Sequence, residues 1–274
     1  MPEIPTAGQL TLLFAALAMF VAAEVLSLLR LRGTERFRIP AKACLYWGIV
    51  LGLGVLIWHS ARRGNWIPLQ DNFDAFVWLA LLLALFVAYT QRVHPLRGLD
   101  WFVLPIVGLL LAAAAVFGRA KPHEYVGTVW SWVHRVTAYG GTAAFAVAAA
   151  VGAMYLISDR RLRHKRPGAL GSLERLEKFT RVSVGLGFPL LTVGLITGLV
   201  LVVDRPGHSG LGSAWYESPK VWLAFAAWLV YALVLHAPIN PVFRGRRAAM
   251  LSVLGFVLLI GTLVAMQFTP GAGR

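Results

Sequence analysis

Residues 101–118, WFVLPIVGLLLAAAAVFG, run without a single Asp, Glu, Lys, Arg or His. A transmembrane helix needs about 20 mostly apolar residues, and this stretch is close to that length. Seven further stretches of the same kind flank it, so the spacing predicts spans at 9–29, 43–59, 74–91, 101–118, 130–157, 182–203, 219–238 and 248–267. They fill most of the 274 residues. The expected architecture is therefore all-α: a polytopic membrane protein of eight transmembrane helices forming one integral-membrane domain over 1–274. No Lys or Arg precedes the first span, which begins Met1-Pro2-Glu3. That is not the basic leader of a signal peptide, and the first helix is expected to be retained.

Composition agrees. The chain is 58% hydrophobic and 14% charged, where a soluble domain is roughly half apolar and about a quarter charged. A soluble enzyme is excluded. The single cysteine, Cys44, excludes an internal disulfide, a CxxC redox pair and a cysteine zinc cage.

The formal net charge of +14 would suggest nucleic acid in a soluble chain. Here the distribution of positives gives another cause. Eighteen of the 26 Lys and Arg fall in the connections 30–42, 92–100, 158–181 and 239–247, all on one side of an eight-span chain. Translocated loops avoid Lys and Arg, so that side is read as cytoplasmic, with both termini outside and no nucleic-acid partner implied. The most basic connection, 158–181, places Leu173, Leu176 and Phe179 on one face of a short helix with Ser172 as N-cap, which suits a helix lying at the lipid headgroups or a docking surface.

Tryptophan is unevenly placed. Trp58, Trp66, Trp78, Trp130, Trp132, Trp215 and Trp222 fall at or near the outer face, Trp47 and Trp101 near the inner face, and Trp228 in mid-span. Aromatic belts mark both interfaces, so the excess suggests an aromatic platform for a flat apolar ligand. Among the seven histidines, His94, His123, His164 and His208 lie in connections and read as solvated. His59, His134 and His236 lie in or at the ends of apolar helices, where polar groups are costly and usually functional or paired. His59 and His134 are expected near the outer surface, and His236 near the cytoplasmic one. Trp130 shares the His134 face, as do Ala138 and Gly141. Such a strip of small residues admits either a closely packed second helix or a planar macrocycle. Imidazole is a standard axial ligand of haem iron, and Arg135, Arg62 and Arg63 could pair haem propionates.

At these residues the chain resembles the cytochrome c assembly family of membrane proteins, the CcsA, CcmC and HemX-like group. The resemblance runs from Trp132-Val133-His134 through Ser172-Leu-Glu-Arg-Leu-Glu-Lys-Phe-Thr-Arg181 and Gly187-Phe-Pro-Leu-Leu-Thr-Val-Gly-Leu-Ile-Thr-Gly198. It resumes at Pro219-Lys220, Trp228-Leu-Val-Tyr-Ala232, Leu235-His236, Arg244-Gly-Arg-Arg-Ala-Ala249 and Gly255-Phe256. Upstream, Pro68-Leu69 followed by Phe73-Asp74 is similar to the family's Pro-Leu-(x3)-Tyr-Glu segment. The smaller eight-span members, HemX-like and YpjD-like, look most alike in length. The resemblance implies haem held between histidines around a tryptophan-rich outer segment, with His134 as the upstream flanking histidine, His236 at a haem site within the membrane and His59 similar to a histidine ending the second helix of small members.

Two departures stand out. The family's Trp-Asp-Pro-Lys is here Trp215-Tyr216-Glu217-Ser218-Pro219-Lys220, and the last helix ends Met266-Gln267-Phe268-Thr269-Pro270 without the further histidine of larger members. The expectation is a bis-histidine site of His59 and His134 for non-covalent b-type haem, with Trp58, Trp66, Trp130 and Trp132 as apolar walls. His236 is a further ligand, and Trp215 and Arg135 are contributors. The implied role is a haem-handling factor of cytochrome c biogenesis in a bacterial-type inner membrane, with a second membrane assembly subunit and apocytochrome c as partners. It would be an assembly factor rather than a self-sufficient catalyst, because haem attachment uses thiols of the acceptor. Two other readings are a HemX-like regulator of haem biosynthesis, working through 158–181, and a small-solute transporter, for which broken helices or repeats would be needed. Gly194-x3-Gly198 reads more simply as a helix-packing face.

Overall fold

A computed structural model describes residues 5–31, 35–93, 95–118, 128–165, 170–204, 216, 218–236 and 243–268. The described residues form eight α-helices and one 3-10 turn, Glu35–Phe37, with no strand among them. The helices are α1 (Ala7–Leu31), α2 (Arg38–Arg63), α3 (Asn72–Val93), α4 (Leu99–Phe117), α5 (Val129–Arg163), α6 (Leu173–Asp204), α7 (Pro219–Leu235) and α8 (Arg246–Phe268). Seven are long and apolar enough to cross a membrane, and the chain is a polytopic membrane protein. The shorter helix is α7, of 17 residues, about 25 Å long. Hydropathy predicts three more residues, to 238, but Pro238 follows closely in the sequence, and helices usually stop before a proline.

Helix α2 starts five residues before its expected span and ends four after it, and two other boundaries differ further. Helix α5 continues through Ser158-Asp159-Arg160-Arg161 to Arg163, and α6 begins at Leu173 rather than near 182. The helix expected at the headgroups is therefore the opening of α6 itself. Ser172 does cap it: the Arg175 amide donates to Ser172 Oγ (3.4 Å) and the Leu176 amide to the Ser172 carbonyl (3.0 Å). Charge marks where the apolar stretch ends, and good helix formers carry the helix past that point.

The described helices divide into two compact units, α1–α4 and α5–α8. In each unit the helices neighbour one another in chain order and the fourth returns to the first, which closes a ring.

In the α1–α4 unit, small residues set the spacing. A Cβ on Gly48 would lie 2.9 Å from the Phe20 ring, one on Gly52 2.8 Å from Leu81 Cδ2, and one on Gly8 2.8 Å from Trp58 Cη2. The pairings of Gly48 with Phe20 and of Gly8 with Trp58 run α1 antiparallel to α2. The unit's core includes Leu13, Phe20, Leu45, Phe73, Leu83 and Leu104. At the far end, Ser27 Oγ and Gln91 Nε2 both donate to Asp100 Oδ2, at 2.7 and 3.1 Å, which pairs a buried carboxylate at the start of α4.

In the α5–α8 unit, the core is built on the stacked rings of Phe145 and Tyr231, with centroids 3.5 Å apart. Tyr231 Oη donates to the Ser252 carbonyl at 3.2 Å, so the buried hydroxyl is satisfied. Helices α5 and α6 run antiparallel at close range. A Cβ on Gly141 would meet the Leu191 amide at 3.2 Å, and one on Gly194 the Ala138 amide at 3.4 Å. The strip of small residues below His134 is thus filled by a second helix. Gly152 packs on the Ala249 carbonyl, which fixes the approach of α8 to α5.

Candidate functional site

The α2–α3 corner builds the first polar cluster. Helix α2 ends at Gly64, with φ +66, a left-handed cap that glycine adopts freely, and the Gly64 amide donates to the Ala61 carbonyl. Leu69, with φ +61, takes the same conformation despite its side chain, a strain of about 1–3 kcal/mol that surrounding contacts must hold in place. Two residues on, Asp71 caps α3: its Oδ1 accepts from the Asp74 amide at 2.7 Å.

The other oxygen of Asp71 gathers the corner. His59 Nε2 donates to Asp71 Oδ2 at 2.8 Å, and Arg63 Nη1 does so at 2.9 Å. Arg63 also reaches the Ile67 carbonyl (2.8 Å), the Asn65 carbonyl (3.3 Å) and Asp74 Oδ2 (3.5 Å). His59 is 5% exposed, Asp71 2% and Asp74 1%, and the His59 ring lies 4.8 Å from Phe73. Burial works to raise the Asp71 carboxyl. The hydrogen bonds from His59 and the Asp74 amide, with the nearby Arg63 charge, outweigh it and hold Asp71 below its ordinary value. Asp74 Oδ1, Gln70 Nε2 and Arg63 Nε are buried without a hydrogen bond among the described residues. Sequence reasoning named His59 and Arg63 but missed their tie to Asp71. The available signal was Asp71 and Asp74 opening an apolar span, where carboxylates are expensive.

The α5–α6 seam builds the second cluster. Thr128 caps α5, accepting from the Ser131 amide at 3.2 Å. One turn in, His134 Nδ1 lies 2.8 Å from the Gly194 carbonyl. A carbonyl only accepts, so Nδ1 carries the proton and Nε2 keeps its lone pair. The imidazole rests on Gly198, where a Cβ would lie 2.9 Å from Cε1 and 3.1 Å from Nδ1. Gly194 and Gly198 therefore serve one side chain: the first supplies the acceptor, the second the room. This is the arrangement that orients metal-ligating histidines, the second nitrogen fixed by a hydrogen bond.

The other expected residues are placed as follows. Arg135 is 6% exposed, bonds Ser131 through Nε to the carbonyl (3.2 Å) and Nη2 to Oγ (2.8 Å), and stacks over Trp132 at 5.5 Å. Trp130 is exposed and Trp132 half-buried in the α5–α8 unit, while Trp58 and Trp66 are exposed in the α1–α4 unit. His236, at the end of α7, is exposed and donates through Nδ1 to the Ala232 carbonyl at 2.7 Å. His59 belongs to one four-helix unit, and His134 and His236 to the other. Trp215, His94, His123 and His208 lie outside the described residues. Among the described residues no group of three His, Cys, Asp or Glu is placed to hold a bare metal ion.

Comparison with known proteins gives a consistent picture. The model of the Cytochrome C assembly protein family matches residues 66–268. The cytochrome c biogenesis protein CcsA of Microcystis aeruginosa is 37% identical over 199 residues, 73% of this chain and 54% of that protein. The CcsA of Trichormus variabilis is 41% identical over 93 residues, 34% of this chain and 25% of that protein. The chain thus spans about half, or less, of the length of these relatives. Among solved structures, the cytochrome c heme lyase CcmF superposes with a TM-score of 0.56 at 18% identity, covering 95% of this chain and 49% of that one. At that identity the likeness is one of fold.

Proposed function

We propose a haem-handling role in cytochrome c biogenesis, starting from the premise that this chain belongs to the cytochrome c assembly protein family. The observation that carries the reading is His134, whose Nδ1 proton is committed to the Gly194 carbonyl and whose Nε2 has no hydrogen bond among the described residues. The residues fit haem. A neutral imidazole with its ligating nitrogen free is what iron porphyrin takes as an axial ligand, and Trp130 and Trp132 offer flat apolar surface one turn or less away. Bound haem would be b-type, held by this chain without a covalent bond, and would supply an iron centre for axial coordination.

The chain's own part is to hold and orient. Gly194 fixes the tautomer of His134, and Gly198 lets the ring sit flush against α6. Arg135 is tied to Ser131 and Trp132, which stiffens the first turns of α5. His236 has the same chemistry at the other terminus of its helix, with its Nδ1 proton on a backbone carbonyl. It is the proposed ligand of a second haem position. His59 is differently placed, because Asp71 occupies its Nε2. It could ligate through Nδ1, or after leaving Asp71. Trp58 and Trp66, exposed near it, and Trp215 are the further aromatic contacts of the proposal. The chain is proposed to sit in a bacterial-type inner membrane with both termini outside, to work with a second membrane assembly subunit, and to present haem to apocytochrome c.

The test is the absorption spectrum of the purified, haem-loaded protein. A low-spin, six-coordinate spectrum lost in His134→Ala is expected. A spectrum untouched by His134→Ala overturns the reading, and one untouched by His59→Ala removes His59 from the ligand set. Deletion of the gene is expected to deplete c-type cytochromes.

A further inference from the structure

One end of the α5–α8 unit is assembled from three helices. Antiparallel packing sets the end of α5 beside the start of α6, since Gly141 meets Leu191 and Gly198 meets His134. The start of α8 joins them, with Gly245 against Tyr155 Oη and Ala249 against Gly152. Tyr155 of α5, Thr180 and Arg181 of α6, and Gly245 and Ala248 at the start of α8 line one cleft there.

Charge at this end is unbalanced. Arg160 and Arg161 of α5, Arg175 and Lys178 of α6, and Arg244 and Arg246 at the start of α8 are exposed. None of them forms an ion pair among the described residues. Segment 158–181 contains only Asp159, Glu174 and Glu177 as acids, and segment 236–247 contains none. Arg163 already takes Asp159 at 3.0 Å, and Arg181 reaches Glu177 at 3.5 Å. Keeping Lys and Arg on one side of a membrane explains their location but neutralises none of them. Crowded on three helix ends, they repel one another and draw counter-charge from outside the chain. The opposite end of the unit differs: Arg135 is buried and Lys220 half-buried.

The surface beside these cations is aliphatic. On α6, Arg175 and Lys178 are followed at helical spacing by Val182, Leu186, Val193 and Ile196. On α8, Arg246 is followed in the same way by Met250, Leu254 and Val257. All seven apolar side chains are exposed. Each stripe therefore begins basic and turns apolar along one helix face. A matching ligand carries an anionic group at one end and aliphatic chains behind it. A nucleic acid or polyphosphate has the charge without the chains, and a zwitterionic lipid has the chains without the net charge.

We infer that this end of the α5–α8 unit binds anionic phospholipid in preference to zwitterionic phospholipid. The headgroups sit at Arg175 and Lys178 and at Arg246, and the acyl chains lie along the exposed faces of α6 and α8. Basic clusters at the ends of membrane helices recognise acidic headgroups in this way. The bound lipid supplies the missing counter-charge and holds this end of the unit at an anionic leaflet. The inference is independent of the haem reading, which stands or falls on His134.

The experiment is native mass spectrometry of the purified full chain, released from detergent after equilibration with equal phosphatidylglycerol and phosphatidylcholine of the same acyl chains. Wild type is expected to retain phosphatidylglycerol about tenfold over phosphatidylcholine, from cations worth about fivefold each near an anionic surface, reduced by screening. The combined variant Arg175→Gln, Lys178→Gln, Arg246→Gln is expected to lose most of that preference, and Arg175→Lys, Lys178→Arg, Arg246→Lys to keep it. Removing three exposed charges from the α1–α4 unit instead, with Arg36→Gln, Arg38→Gln and Arg97→Gln, is expected to leave most of it. Where the combined variant loses helicity by circular dichroism, Lys178→Gln and Arg246→Gln singly carry the test, each lowering the ratio about twofold. Equal retention of the two lipids by wild type overturns the inference. So does an equal loss of preference in the two combined glutamine variants, which makes it a matter of net charge alone. Displacement of phosphatidylglycerol by excess glycerol phosphate, a headgroup without chains, overturns it as well.

Discussion

Replacing Asp71 by alanine tests the α2–α3 corner most severely. One carboxylate there accepts from His59 at 2.8 Å, from Arg63 at 2.9 Å and from the Asp74 amide at 2.7 Å. Its loss leaves a buried His59 and a half-buried Arg63 without their shared acceptor. Breaking a buried pair by removing one partner costs about 3–5 kcal/mol, and loss of an N-cap about 1 kcal/mol. Arg63 keeps the Ile67 and Asn65 carbonyls and Asp74, which offsets part of this, so a net loss of about 3 kcal/mol is expected. Asp71→Asn keeps the shape and the cap, and should fall between alanine and wild type. The assay is unfolding by SDS in mixed micelles, followed by far-UV circular dichroism. Acid supplies a second readout. The Asp71 carboxyl sits below its ordinary value in the folded protein, so the folded state binds fewer protons there than the unfolded chain. The stabilisation is therefore complete above about pH 4 and is lost as pH falls through the folded value. Asp71→Ala should remove that part of the acid dependence. An alanine variant within about 0.5 kcal/mol of wild type, or an acid limb that survives unchanged, refutes the account of the corner.

Two glycine substitutions probe the other unit. Gly198→Ala places a Cβ 2.9 Å from His134 Cε1; the ring must turn off the Gly194 carbonyl, with a loss of about 1–3 kcal/mol and a haem spectrum that departs from low spin, read by SDS unfolding and absorbance. Gly152→Ala meets the Ala249 carbonyl at 2.9 Å, which is backbone and yields less readily, so α5 and α8 must separate at a cost of about 1–3 kcal/mol; Gly185→Ala, with open space around it, should be neutral or stabilising in the same assay.

The spans were legible because a bilayer fixes the length of the apolar stretch: α1, α3, α4 and α8 begin and end within a few residues of the hydropathy limits. The ends of α5 and the start of α6 were not, since hydropathy reports the membrane boundary while helix propensity and capping set the helix boundary. His134 was legible as a costly polar residue one turn into an apolar span, on a face of small residues. Its acceptor was not, because Gly194 lies 60 positions away on a helix whose rotation about α5 the pattern leaves undetermined. The tie of His59 to Asp71 was hidden for a different reason. It depends on the reversal at Gly64 and the left-handed Leu69, a corner with no periodicity to read. The division into two four-helix rings likewise concerns which helices neighbour each other, and apolar stretches of similar length carry little of that.

The seat of the His134 ring on Gly198 ties two positions of the sequence to each other. Any side chain at 198 needs the volume the imidazole fills, and a smaller residue at 134 would leave a gap that a larger one at 198 could then close. Neither position can drift alone. Across descendants of this chain, histidine at 134 and glycine at 198 should be inherited as a pair, and lineages that give up the one should be those in which the other acquires a methyl group or more.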